Sequence, residues 1–252
     1  MPTPAQVWFP FVKRSAAARA RLFCLPHSGG GASYFRPWQA HFGARVEVWA
    51  AQPPGRESRF REPAFESYVP YVASLLEAMR PHLDLPFAVF GHSLGGGVAF
   101  ELCRALRANG LRQPEHLFVS AHAAPELRPA DMHLADLAEP EFVAAIREMG
   151  GTPPEVFEHP ELLQMLVGVL RSDYRLFASY QYTPEAPLTV PITAVGGEAD
   201  RSVTRQDLEA WRPHSERFTG ARLFTGGHFF LAEHRAALLQ MIEQSLGVAP
   251  SA

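Results

Sequence analysis

Residues Gly91 to Gly97 read GHSLGGG. Pro86 to Phe90, just before them, read PFAVF: short, apolar and bounded, the pattern of a buried strand. Behind them, Val98, Leu102 and Leu106 recur at helical spacing. Phe100 and Cys103 widen the same face, and Gly110 supplies a C-terminal stop. A strand that passes at once into a helix needs a sharp turn, and Ser93 stands at its apex. Gly91 and Gly95 flank it symmetrically, giving G-x-S-x-G. That arrangement raises a hydroxyl above the end of a sheet, beside a helix N-terminus. The bare spacing is common by chance. The strand before it and the helix behind it make Ser93 a candidate nucleophile.

The rest of the chain repeats the same alternation. Strand patterns run over Arg21–Leu25, Arg45–Ala50, His116–Ser120, Pro191–Val195 and Arg222–Phe224. Helical patterns run over Ser67–Arg80, Thr204–Trp211 and Phe230–Gln244. Alternating strands and helices predict a mostly parallel sheet covered on both faces. Ala123 to Ala186 interrupt the order with helical patterns and no strand signal. Long insertions of this kind are usually functional. Within it Leu162, Leu163, Met165, Leu166, Val167, Val169 and Leu170 leave almost no polar face. Such a helix is packed in a core or lines something apolar, and its different faces can do both.

Composition excludes several classes. A chain of 252 residues can bury a substantial core as one large α/β domain. A formal charge of −3 gives no electrostatic reason to bind nucleic acid or a membrane surface. No apolar stretch is long enough to span a bilayer, and the N-terminal residues lack a signal-peptide core, so a cytoplasmic location is expected. Cys24 and Cys103 fall in a strand pattern and a helix pattern and are expected to be buried small hydrophobes. No metal-ligand spacing is present, and no coiled-coil or exposed apolar helix pattern argues against a monomer.

A serine hydroxyl is a weak nucleophile without a base, and the base needs an orienting group. Downstream of Ser93 the sequence offers GGEAD, ending in Asp200, directly after a strand pattern. It then offers GGHFFL, containing His228, after the last strand pattern. Both fall at strand C-terminal ends, where ligands gather in open α/β sheets. Glu198 competes with Asp200, which lies further into its loop. His41, His82, His159, His214 and His234 are expected at the surface or in structural roles, while His133 falls in the insertion. An oxyanion hole would take the Leu94 backbone N–H and one from the loop LPHSGGGASYF, with Ser28 preferred and Gly29 next. The side chains of His27 and Ser28 are expected to shape that loop. His27, Gly29, Met165 and Leu166 are candidate substrate-binding residues.

Together, LFCLPHSGGGASYFRPW, QPPGRE, GHSLGG, GGEAD and GGHFFL resemble the type II, or editing, thioesterases of polyketide and nonribosomal peptide biosynthesis. The insertion segments LADL, MGGTPPEV and RSDYRLFASYQY fit the same likeness, which spans about Arg21 to Leu246. The resemblance implies an α/β-hydrolase fold with a helical lid over about 123–186. It implies a triad of Ser93, Asp200 and His228 that uses no cofactor. It implies hydrolysis of aberrant or stalled acyl groups from the phosphopantetheine arm of acyl or peptidyl carrier proteins. Carrier proteins of this kind are generally acidic, so Arg56, Arg59, Arg61, Arg171 and Arg175 are candidate contacts, against the competing expectation of solvated charges or internal ion pairs. A general esterase or lipase, an acyltransferase, and a hydrolase fold used only for binding remain as alternatives.

Overall fold

A computed structural model describes residues 3–127 and 134–248. In chain order its helices and strands are α1 (Pro4–Trp8), β1 (Ala20–Leu25), α2 (Gln39–Phe42), β2 (Val46–Ala50), α3 (Tyr68–Met79), β3 (Phe87–His92), α4 (Leu94–Ala108), β4 (His116–Ser120), α5 (Glu139–Met149), α6 (Pro160–Ala178), β5 (Ile192–Gly197), α7 (Arg205–Glu209), β6 (Phe218–Phe224) and α8 (Arg235–Ser245). The six strands form one sheet in the order β2-β1-β3-β4-β5-β6, every pairing parallel. This is the expected α/β architecture.

Side-chain alternation along each strand feeds two cores, one on either face. Phe23, Phe87 and Val89 point to the face covered by α3 and α4, with Leu75, Val98 and Leu102. Leu22, Cys24, Ala88 and Phe90 point to the other, with Phe42 from α2 and Leu238 and Ile242 from α8. Cys24 and Cys103 are both buried and free, one in each core. A third core holds the insertion together through Phe142, Ile146, Val167, Leu170 and Tyr174. The apolar run on α6 therefore divides. Val167 and Leu170 are buried, while Leu162 and Met165 remain 49% and 56% exposed.

Three boundaries differ from the sequence pattern. Helix α4 begins at Leu94, not after the glycines, because small residues let it cross the sheet closely. A Cβ on Gly91 would strike the Gly95 carbonyl, and one on Gly95 would strike the carbonyl of Leu25 on β1. Strand β6 starts earlier than expected; a register shift near Ile192 and the positive φ of Gly220 hide its alternation. The last helical pattern divides into a short turn, Phe230–Ala232, and α8.

Three histidines are packed around the C-terminal ends of β3 and β4 or within β4. His92 shares a hydrogen bond with Ser120 Oγ at 2.9 Å, and His116 shares one with Thr193 Oγ1 at 2.7 Å. Burial disfavours the charged ring in each case. His116 is pushed down to about 4, helped by Arg217 and Arg222. His122 is also pushed down to about 4, by burial and then by His228, against a hydrogen bond to the Ser93 carbonyl. Burial, followed by His228 and His27, also holds His92 well below the usual imidazole range.

Two outcomes follow from this packing. Gly91→Ala puts a methyl against backbone, which no rotamer change relieves, so a loss of about 3 kcal/mol or more is expected in urea unfolding. An unchanged midpoint would contradict the close crossing. The buried rings also link folding to protons. The unfolded chain takes them up below about 6.5 and the folded chain only below about 4. Stability is then fully present above the higher value and falls with pH, by about 1.4 kcal/mol per pH unit for each ring. An unfolding free energy that stays flat between about pH 7 and about pH 5 would contradict their burial as neutral groups.

Candidate active site

Ser93 sits between β3 and α4 with φ 53° and ψ −123°. A non-glycine residue in this region costs about 1–3 kcal/mol and needs its surroundings to hold it. Its N–H donates to the Ser120 carbonyl at 2.7 Å, and its own carbonyl accepts from Gly96 N–H at 2.8 Å. The residue opens onto a cavity of about 1310 Å³. His228 and Asp200 line the same cavity, as do His27, Ser28 and Gly29. Its other wall comes from the insertion, including Ile146, Met149, Leu162, Met165, Leu166 and Leu170.

Asp200 follows β5 and His228 follows β6, so the two neighbouring strands deliver them side by side. His228 Nδ1 lies 2.8 Å from Asp200 Oδ2, with the carboxylate side chain 1% exposed and the imidazole 19% exposed. Burial opposes ionisation of Asp200. Hydrogen bonds from His228 and Ser202 outweigh it and hold the carboxyl below its usual range. Ser202 donates to Oδ1 through both its hydroxyl at 2.8 Å and its N–H at 2.9 Å, an Asx-type turn. The spacing D-R-S carried that signal in the sequence, although it was not singled out there. Glu198 is exposed, its N–H used in pairing with Phe224, and it takes no part.

The loop after β1 has a defined order. Gly30 N–H donates to the His27 carbonyl at 3.0 Å, closing a turn in which Gly29 has φ +78°. Gly29 N–H donates to Asp173 Oδ2 on α6 at 2.7 Å. That amide is occupied, which removes Gly29 as the second-choice oxyanion donor. Among the described residues the N–H groups of Ser28 and Leu94 have no protein acceptor. The Leu94 N–H also belongs to the first turn of α4, where the helix presents partial positive charge. The His27 ring packs edge-on against Tyr34, His92 and Phe229, and burial followed by His228 and Arg56 pushes it down to about 3. It is therefore neutral and shapes the loop.

The remaining histidines behave as expected. His214 contacts Glu126 at 2.6 Å, His234 contacts Thr225, and His41 lies 3.5 Å from Glu243. His133 lies outside the described residues.

Most of the candidate docking arginines are engaged. Arg56 forms a buried pair with Asp173, and Arg59 pairs with Glu62 at 2.6 Å. Arg171 donates to the carbonyls of Ala135 and Leu137 and lies over Phe142. Arg175 pairs with Glu66 at 2.9 Å. Arg61 lies over the exposed Phe60 ring and has no ion-pair partner among the described residues.

Comparison with known proteins identifies the family of the chain. The thioesterase domain family matches residues 20–246. The gramicidin S biosynthesis protein GrsT of Aneurinibacillus migulanus is 39% identical, over 95% of this chain and 93% of its own. Among solved structures, the type II thioesterase BorB from the borrelidin biosynthetic cluster superposes with a TM-score of 0.85. It is 34% identical, covering 96% of this chain and 97% of its own. The thioesterase RedJ of the prodiginine pathway in Streptomyces coelicolor gives 0.84 at 35% identity, with 91% and 87% covered. Such identity over nearly the whole length, on the same fold, goes beyond a shared architecture: the chain belongs to the thioesterase family and is a thioester hydrolase.

Proposed function

We propose that this protein is a type II editing thioesterase, clearing aberrant or stalled acyl groups from the phosphopantetheine arms of acyl or peptidyl carrier proteins. The observation that carries the reading is the Asp200–His228 hydrogen bond at 2.8 Å, on the cavity that also holds Ser93. The type II thioesterase BorB and structural neighbours from the colibactin and yersiniabactin NRPS/PKS pathways support the substrate class.

The reaction follows from the residues. Ser93 Oγ attacks the thioester carbonyl while His228 Nε2 takes its proton. Asp200 holds Nδ1–H in place and stabilises the imidazolium that forms. The Ser28 and Leu94 N–H groups receive the negative oxygen. The carrier's thiol leaves with the proton from His228. Water, activated by the same imidazole, then hydrolyses the acyl-enzyme. His27, His92 and His122 stay neutral around His228, so no second imidazolium competes with the charge that develops there. The chemistry calls for no metal or organic cofactor.

The insertion acts as a lid whose apolar side receives the acyl chain, with Met165 and Leu166 as contacts. It buries its own core on one side and lines the cavity on the other. Arg171 braces the lid and Arg175 pairs with Glu66 outside it, so the carrier is expected to meet the rim near the exposed Phe60 and Arg61 and not a wide basic surface. Among the described residues no helix is long and apolar enough to cross a membrane.

Hydrolysis of acyl groups from phosphopantetheinylated carrier protein, run beside matching simple esters, tests this reading. Cleavage of carrier-bound thioesters is expected, with Ser93→Ala lowering kcat by about ten-thousandfold or more. Asp200→Asn is expected to lower kcat by about ten-thousandfold through the wrong imidazole tautomer. Cleavage of simple esters alone would overturn the substrate assignment, and full activity in Ser93→Ala would overturn the nucleophile.

A further inference from the structure

The oxyanion loop is held by a residue of the insertion. Asp173, on α6 with its side chain 2% exposed, accepts three hydrogen bonds. Gly29 N–H and Arg56 Nη1 reach Oδ2 at 2.7 and 2.6 Å, and Arg56 Nη2 reaches Oδ1 at 2.7 Å. The Arg56 side chain is 7% exposed and donates onward to the Pro54 carbonyl at 3.3 Å and the Gly30 carbonyl at 3.4 Å.

These contacts orient successive peptides. In a trans peptide the C=O and the N–H point to opposite sides. The His27 carbonyl is turned toward Gly30 N–H, so the Ser28 N–H of the same peptide faces the other way. The next peptide is fixed by Gly29 N–H on Asp173, and the Gly30 carbonyl by Arg56. Gly29 needs its left-handed φ, and a Cβ there would stand 2.8 Å from Leu170 Cδ2, so the loop and α6 already touch. Three glycines in sequence, Gly29 to Gly31, would otherwise leave this loop free to rotate.

Building on the oxyanion-hole assignment above, we propose that Asp173, fixed by Arg56, is a positioning residue for that hole. It holds the Ser28 amide toward the reacting carbonyl, and the hole is complete only while the insertion helix is seated. A reaction that builds negative charge on oxygen is thereby tied to the element that covers the acyl chain.

The test removes both charges together, because a lone buried charge would destabilise the fold by itself. Arg56→Met/Asp173→Leu deletes the acceptor for Gly29 N–H. Arg56→Met/Asp173→Asn keeps an oxygen there. Each is compared with wild type by thermal unfolding, by kcat and KM on acyl-phosphopantetheine, and by the dissociation constant of a linear alkylboronic acid. The boronate's adduct with Ser93 carries a negative oxygen like that of the transition state. With the leucine variant folded, kcat and boronate affinity are expected to fall about a hundredfold, with KM nearly unchanged. The asparagine variant is expected to recover most of both. Arg56→Met/Asp173→Ala supplies the same comparison in place of a leucine variant that does not fold. A folded variant without the acceptor that keeps wild-type kcat and boronate affinity would overturn the proposal. So would a matching loss in the asparagine variant. A wild-type protein that binds boronate on Ser93 but leaves acyl-phosphopantetheine intact would sink the substrate reading, while the boronate comparison would still decide the role of Asp173.

Discussion

The close crossing of β3 and α4 at Ser93 is the constraint on which the rest of the structure depends. Gly91 and Gly95 let backbone meet backbone there. Ser93 is thereby forced into a left-handed conformation that a serine does not adopt freely. The neighbouring strands share in holding it, through the Ser120 carbonyl on β4 and through β1, against which Gly95 packs. Because the sheet is parallel, the loops after β1, β3, β5 and β6 all emerge at one end. That places the glycine-rich loop after β1, a serine, a carboxylate and an imidazole around one cavity without further adjustment.

Most of this was legible because it is local. The strand patterns of PFAVF and HLFVS, the glycines around Ser93, and the positions of Asp200 and His228 after strands all lie within a few residues of what they signal. Asp200 is preferred over Glu198 on loop depth, and in the fold it is Asp200 that lies within hydrogen-bond distance of His228. The start of β6 was hidden by Gly220 and a register shift, which break the alternation that marks a strand.

What could not be read was long-range. In the sequence Arg56 is a candidate contact for an acidic partner, against the competing expectation of a solvated charge or an internal ion pair, and its partner could not be named. In the fold it is buried against Asp173, 117 residues away, and no local pattern announces such a pairing. The same contact occupies the Gly29 amide, a distinction between Ser28 and Gly29 that the loop's glycines could not supply. The apolar run on α6 was ambiguous between core and cavity because a helix can serve both. Its buried and exposed residues now divide along its faces. The electrostatics around His228 are likewise a property of packing. Burial keeps the nearby rings of His27, His92 and His122 uncharged, while the His228 ring beside Asp200 stays partly open to solvent.

The central claim is that carrier-bound thioesters are opened through a covalent ester on Ser93. Rapid quenching of the protein with acylated phosphopantetheinyl carrier protein, followed by mass spectrometry of the peptide containing Ser93, measures that directly. The acyl mass is expected on Ser93 at early times, with its decay as free acid appears, and neither the adduct nor rapid release of free acid is expected when His228 is replaced by alanine. Release of free acid with no acyl mass ever found on Ser93 would contradict the claim.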